Sequence, residues 1–459
     1  MFKPQVLLLG AASAARYTAL ALRQVARRSA PIAPVAPASQ RNWANRPGLG
    51  IMYQIETRPG WRWDRDYDAF NASLRDASGH FAFNGPHCRI DDWVDLSRDV
   101  GVDYHSFEAK WHDGICWFET ASTDWKTPVD YCARFADASR AAGIPFLYYY
   151  SAVFDHNPQF DAIQPEPHTT PSLIGNDAGY RQYLLGHYRE IMSRYRPDGM
   201  WFDWYWADAS TPFTLEHFRE QHPDTPVFYN LSNLFPSSFG KVPVTSSEAH
   251  GYDGPWVTLR KEDALRVPVL TSAVKWSNSC RMLFDHRWEL ISPAGRWWQD
   301  QRLREDPLEL LRMTAMVLAC GGKLGIGATA QMDGSLFPDQ VTQLRMLGAW
   351  YKPRRALFTD ATPLRYTGMR VPGVKIAGDG FDTVASALDD SVLLHLVNRS
   401  GVPRDLSLVL DAREWGRFRQ AELLPQGKSI PLHREDGRIH ISLGRNDVDE
   451  VDTIIRLRA

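Results

Sequence analysis

An α/β fold is predicted for this chain: a (β/α)8 TIM-type barrel over residues 47–360, then a C-terminal all-β sandwich over 361–459. Three observations predict it. Short apolar segments alternate with amphipathic stretches across about 300 residues, in the number such a barrel needs. No Gly-rich phosphate-binding turn follows an early segment, which argues against a doubly wound nucleotide-binding sheet. After about residue 360 the chain changes to short strands separated by Gly, Asp and Pro turns, with no long helical period.

Leu49–Gln54 is the first expected strand, rich in aromatic and branched residues. Tyr104–Glu108, Pro145–Ser151, Gly199–Asp203, Val227–Asn230, Val244–Glu248, Val267–Val274 and Lys323–Gly327 follow. Helices are expected between them. One opens at Asp91, with acids in its first turn, where the helix dipole favours them. Tyr131 to Ala142 is another, stopped by Gly143. Tyr180 to Tyr195 carries apolar residues at helical spacing. Leu308 to Ala319 follows Pro307, a residue suited to a helix start. In the last segment, residues 392–397, 406–410, 439–443 and 453–457 read as strands.

Composition narrows the function. The chain has 459 residues, 52 Lys plus Arg, 54 Asp plus Glu, and a net charge of -2, which argues against a general nucleic-acid binder. Five Cys show no zinc spacing and no disulfide framework, so they read as reduced and mostly buried. The 14 His do not fall in ligand-spaced pairs near carboxylates, so no metal and no cofactor is expected. No apolar run reaches the length of a membrane span. Residues 1–46 read as a leader or tail with a linker. A short apolar core at Val6–Leu9 leaves periplasmic, secreted and cytoplasmic locations open. The 17 Trp suit sugar stacking as well as core packing.

Active sites of such barrels lie at the C-terminal ends of the strands. Polar residues cluster there: Gln54 after strand one, Glu108-Ala109-Lys110-Trp111-His112 after strand two, Tyr150-Ser151 after three, Asp203-Trp204 after four, Glu248 after six and Trp276 after seven. Two carboxylates among aromatics suit glycoside hydrolysis, which needs one to attack or activate water and one to protonate the leaving oxygen. Asp203 is the candidate nucleophile, because it ends an apolar strand between Trp201 and Trp204. Glu248 is the candidate acid/base, with Glu289 in reserve. Gln54, Glu108, Lys110, Trp111, His112, Tyr150, Trp204 and Trp276 are the candidate sugar pocket.

The motifs carry a resemblance. Lys110-Trp111-His112-Asp113-Gly114, Gly143 to Ser151, Pro197-Asp198-Gly199-Met200-Trp201-Phe202-Asp203, Cys320-Gly321-Gly322-Lys323 and Leu347-Gly348-Ala349-Trp350 resemble the α-L-fucosidase family of retaining glycosidases across residues 48–365. The resemblance implies that Asp203 is the nucleophile of an exo-acting enzyme working through a covalent glycosyl-enzyme intermediate. Two departures bear on the sugar. Gln54-Ile55-Glu56 stands where the family has His-Trp-Gly, and Trp111 stands where it has the first of two histidines. A hydrogen bond thus gives way to a wall or stacking face, and sugars other than L-fucose enter consideration. Ser246-Ser247-Glu248-Ala249 and Gly321–Gly327 also resemble uncharacterised barrel glycosidases related to β-galactosidases. The partner expected is an oligosaccharide or glycoside, not nucleic acid or membrane, with homo-oligomerisation left open. The alternatives are a carbohydrate-binding pseudoenzyme and a β-galactosidase- or arabinosidase-type glycosidase.

Overall fold

The computed structural model describes residues 43–55, 72–82, 87–152, 155–161, 177–203, 218, 220–230, 248–252, 288–295, 303, 306–364, 371–378 and 380–459. Eight parallel strands follow one another round a barrel: β1 (Gly48–Gln54), β2 (Tyr104–Lys110), β3 (Phe146–Ser151), β4 (Gly199–Asp203), β5 (Val227–Asn230), β6 (Glu248–Tyr252), β7 (Trp288–Pro293) and β8 (Lys323–Thr329). The last returns to the first, with Gly48 opposite Lys323 and Gln54 opposite Thr329. Five long helices stand on the described connections: α1 (Ile90–Val100) after β1, α2 (Tyr131–Ala142) after β2, α3 (Ala178–Arg194) after β3, α4 (Glu309–Ala319) after β7 and α5 (Pro338–Tyr351) after β8. A short helix, α6 (Arg355–Thr359), follows α5.

Local chemistry sets these boundaries. The Asp130 side chain accepts from the Ala133 N–H and caps α2, and Gly143 ends it in the left-handed conformation. Gly101 ends α1 the same way. Each helix thus stops three residues before its next strand begins, at Tyr104 and Phe146.

Strand alternation divides the core in two. Met52, Tyr104, Leu147, Tyr149, Trp201, Phe228 and Ile291 pack inside the barrel. Leu49, Ile51, Tyr53, Phe107, Tyr148, Tyr150, Met200 and Phe202 face the helices in the larger core. Gly50 makes the interior fit, since a Cβ there would lie 2.3 Å from the Tyr104 ring. At the opposite end from the mouth, Asp103 accepts from Leu49 N–H at 2.8 Å, Tyr351 O–H at 2.6 Å and Arg355 Nε at 2.7 Å, tying β1 to α5 and α6.

Beyond α6 the chain forms antiparallel sheets, as the change of character after residue 360 predicts. The strands are β9 (Thr362–Pro363), β10 (Val374–Ile376), β11 (Phe381–Leu388), β12 (Ser391–Asn398), β13 (Leu406–Asp411), β14 (Gln420–Leu424), β15 (Lys428–Ile430), β16 (His433–Glu435), β17 (Arg438–Leu443) and β18 (Asp452–Arg458). One sheet has the order β10-β13-β17-β16 and the other β15-β14-β18-β12-β11-β9. Every residue of β12 is buried, and α4 packs against β11 and β12. Phe358 of α6 stacks on His395, and Arg354 pairs with Asp449 at 2.8 Å. His395 in turn bonds to Asp452 at 2.8 Å, so the link between barrel and sheets is anchored on a buried polar pair.

Two strands differ from expectation. The sixth begins at Glu248 rather than ending there, with Glu248 opposite Val227 at the start of β5. The β-branched Val244 and Thr245 drew the expected strand toward the N-terminal side, whereas Glu-Ala-His-Gly-Tyr has weak strand propensity. The seventh is Trp288–Pro293, not Val267–Val274, which lies outside the described residues. Its Glu289 reads as a loop residue from sequence but is 1% exposed inside the barrel. Cys88, Cys116, Cys132 and Cys320 are buried, and Cys280 lies outside the described residues. Among the described residues no helix is long and apolar enough to cross a membrane.

Candidate active site

The inward parity that carries Met52, Tyr149 and Trp201 also carries Gln54, Glu108, Ser151 and Asp203 at the C-terminal ends of β1 to β4. These four stand at the barrel mouth because each strand switches there from apolar to polar inward residues. Asp203 is the last residue of β4 and lies opposite Ser151 of β3. It is 8% exposed, shielded but reachable. The Tyr149 hydroxyl donates to its Oδ2. The Nε2 of His112 stands 3.6 Å from the same oxygen. His112 is itself fixed, with Nδ1 and the Ser151 hydroxyl 2.6 Å apart and the Trp111 ring stacked 4.9 Å away. Trp111 is half-buried and rests on the aromatic cluster inside the barrel.

Such an arrangement offers a carboxylate oriented by a phenol, an imidazole at its edge, and an apolar face alongside. It suits a polar ring-shaped ligand with one electrophilic carbon. Glu108, 1% exposed, accepts from the Ile55 N–H at 2.7 Å and so fixes how the chain leaves β1. Gln54, also inward, is half-buried.

Two expected pocket residues do different work. The bulge between Glu108 and Lys110 turns Lys110 away from the interior. Its ammonium donates to Asp155 at 2.6 Å and lies 4.8 Å from the centre of the Tyr150 ring. Lys110 and Asp155 are wholly buried. Tyr150 is also wholly buried, with its hydroxyl 2.7 Å from His187 Nδ1 on α3. Neither Lys110 nor Tyr150 is reachable from the mouth, so they brace it rather than line it. Burial pushes His187 well below the usual histidine range, with the Lys110 charge adding to the effect, and so keeps it neutral. The Asp113-Gly114 pair is a turn, as its sequence suggests. Asp113 accepts from Ile115 N–H, and Gly114 has φ +78° where a Cβ would meet Asp155 at 2.3 Å.

Sequence reasoning missed Tyr149. It chose Tyr150 from the run Tyr148-Tyr149-Tyr150, one residue out of phase. The parity of Asp203 would have found it, because Tyr149 pairs with Trp201, two residues before Asp203. Of the remaining candidates, Trp204 and Trp276 lie outside the described residues. Glu248 is described by its backbone, at the start of β6 and not at a strand's C-terminal end. Glu289 is no reserve acid at the mouth; its carboxylate is held at the barrel floor by Tyr104 and Trp201. Among the described residues no group of three or more His, Cys, Asp or Glu is arranged to hold a metal ion.

The parallel barrel thus carries a shielded carboxylate, an imidazole and aromatic faces at the strand ends where barrel enzymes place their sites. The chain matches the alpha-L-fucosidase family model over residues 63–354, and it belongs to that family. Alpha-L-fucosidase 1 of Arabidopsis thaliana is 23% identical over 295 residues, 54% of this chain and 54% of that protein. An alpha-L-fucosidase of Dictyostelium discoideum is 20% identical over 298 residues, 61% and 59% of the two chains. The chain thus spans a little over half the length of these curated relatives. The Thermotoga maritima alpha-fucosidase, solved with a mechanism-based inhibitor, superposes with a TM-score of 0.63 at 17% identity, over 91% of this chain and 96% of that one. An alpha-L-fucosidase from Bacteroides thetaiotaomicron gives 0.64 at 15% identity, over 92% and 95%. At these identities the structural likeness speaks for the fold.

Proposed function

We propose that this chain is an exo-acting retaining glycoside hydrolase with Asp203 as its nucleophile. Residues 47–360 would form its (β/α)8 catalytic unit and 361–459 a β-sandwich that braces it. The observation that carries the reading is the place of Asp203. It ends β4 at the mouth, nearly buried, with Tyr149 donating to it and His112 beside it. A carboxylate held this way cannot swing from the anomeric carbon it attacks.

In the first step the Asp203 oxygen bonds to that carbon as the glycosidic C–O bond breaks, and an acid protonates the leaving oxygen. In the second, water displaces the carboxylate and returns its proton to the same group. Glu248, the sequence expectation for that acid/base, begins β6 three residues to the floor side of Gly251, the partner of Glu289, so the role is not assigned to it. His112 and Gln54 would meet the sugar hydroxyls, and Trp111 would offer its ring to an apolar sugar face.

The names of its relatives make α-L-fucosides the first substrates to try. Trp111 widens the field to other sugars with an apolar edge. The test is a panel of aryl glycosides, α and β, of L-fucose, D-fucose, galactose, arabinose and rhamnose, with Asp203→Ala as control. Release from one sugar by the wild type alone supports the reading. Release by both proteins overturns the role of Asp203. Saturable glycan binding with no release from aryl or natural glycosides would favour a binding protein instead.

A further inference from the structure

The barrel floor holds a polar cluster that this reaction does not use. Glu289, the second residue of β7, accepts from the Tyr104 hydroxyl through Oε1 and from the Trp201 indole N–H through Oε2 at 2.8 Å. Lys323 lies opposite it in the β7–β8 register. The Lys323 ammonium donates to the Trp43 carbonyl at 2.8 Å and stands 4.9 Å from the centre of the Tyr104 ring. Trp43 stacks on Phe228 with centroids 6.0 Å apart.

Placing a carboxylate and an ammonium in a barrel interior is unfavourable, and apolar residues of similar volume would fill that space at least as well. Burial raises the pKa of Glu289, while Tyr104, Trp201 and Lys323 oppose the rise. Lys323 is pushed down to about 8 by burial, with Asp103 and Glu289 pulling it back, so it stays charged at neutral pH. The carboxylate thus directs its two oxygens at two aromatic donors.

One of those donors leads to the mouth. Trp201 lies two residues before Asp203 on the same face of β4. Its ring stacks on Tyr149, with centroids 5.3 Å apart and planes 17° apart. Tyr149 donates to Asp203. We propose that Glu289 is a positioning residue for Asp203: it fixes the plane of the Trp201 indole, on which the Tyr149 ring rests, and so keeps the phenol on the Asp203 carboxylate. The inference rests on the reading of Asp203 as nucleophile. Glu289 touches no substrate; it acts through Trp201 and Tyr149.

The test uses the full chain as wild type, Glu289→Gln, Trp201→Phe and the double variant, on whichever aryl glycoside the wild type cleaves. Glu289→Gln keeps the side-chain volume but presents an amide donor to one of the two aromatic donors. It should lower kcat about 10- to 100-fold, the scale of a small misplacement of a reacting group, and leave KM within about 3-fold. The double variant should be no slower than the slower single one, because both act through one path. Losses that multiply would overturn the proposal. A second readout needs no turnover. The Trp201 indole N–H resonance, recognised by its absence in Trp201→Phe, should shift in Glu289→Gln and also in Asp203→Asn. A shift in the first without the second would separate floor from mouth and overturn the proposal. If the wild type cleaves no glycoside, the functional reading fails by itself, and the resonances decide the positioning role alone.

Discussion

The Tyr149 phenol on β3 donates a hydrogen bond to Oδ2 of Asp203 on β4, across two strands whose ends are in register. This contact gives Asp203 one orientation. Tyr149→Phe keeps the ring and its stack on Trp201 but removes the donor. The expected result is a kcat lower by about 10- to 100-fold, with folding intact by circular dichroism, the scale of a small misplacement of a reacting group. An unchanged kcat would mean that the phenol is only part of the packing.

Gly114 stands where the chain after β2 passes closest to Asp155. Gly114→Ala combines a positive φ with a Cβ 2.3 Å from Asp155 and 2.5 Å from the Asn157 nitrogen. The expected loss of stability is about 2–4 kcal/mol, from strain plus the forced shift of a buried ion pair. Urea unfolding measures it. A loss under about 0.5 kcal/mol, the range of ordinary surface changes, would contradict the close approach.

The Lys110–Asp155 pair is buried on both sides. Lys110→Met leaves a carboxylate without its cation in the interior and should lower stability by about 3–5 kcal/mol. Adding Asp155→Asn should restore part of this, because the uncompensated charge is then gone. Equal losses in the single and double variants would show that Lys110 matters for its packing and not its charge.

Two histidines make the fold sensitive to acid. Burial pushes His105 down to about 3, and burial together with Lys110 pushes His187 well below its usual range. Both are neutral in the folded protein, whereas in the unfolded chain each titrates near 6.5. Above that pH neither state binds the proton, and the contribution is whole. As pH falls below about 6.5 the unfolded state gains protons that the fold excludes, and stability drops by about 1.4 kcal/mol per pH unit for each. For His105 the loss continues to about pH 3. Urea midpoints at pH 7.5, 6 and 5 for wild type, His105→Asn and His187→Gln test this. The gap between wild type and each variant should narrow as pH falls; a constant gap would contradict it.

The sequence makes Asp203 legible because a carboxylate ending an apolar run has little structural reason to be there. The alternation of strands and helices is legible as well, with α2 matching the expected Tyr131–Ala142. What is hidden depends on which face of a strand a residue occupies. Tyr149 and Tyr150 are chemically equal and differ only in parity, and the bulge at Glu108–Lys110 breaks the count for Lys110. Glu289 is hidden for another reason. A charge in mid-strand argues for a loop until its partners are known, and Tyr104 and Trp201 come from strands 185 and 88 residues away. Glu248 shows the limit of propensity, since β6 is made of residues that favour strands weakly and is placed by its neighbours.

The most direct measurement is covalent trapping. A fluorinated glycoside of the sugar that the wild type cleaves slows the second step, so that the glycosyl-enzyme accumulates. Intact mass and peptide mapping then locate the sugar. The expected result is one added glycosyl unit, carried on Asp203 and absent from Asp203→Ala. Turnover with the label on another carboxylate, or with no label and an inverted product, would contradict the central claim.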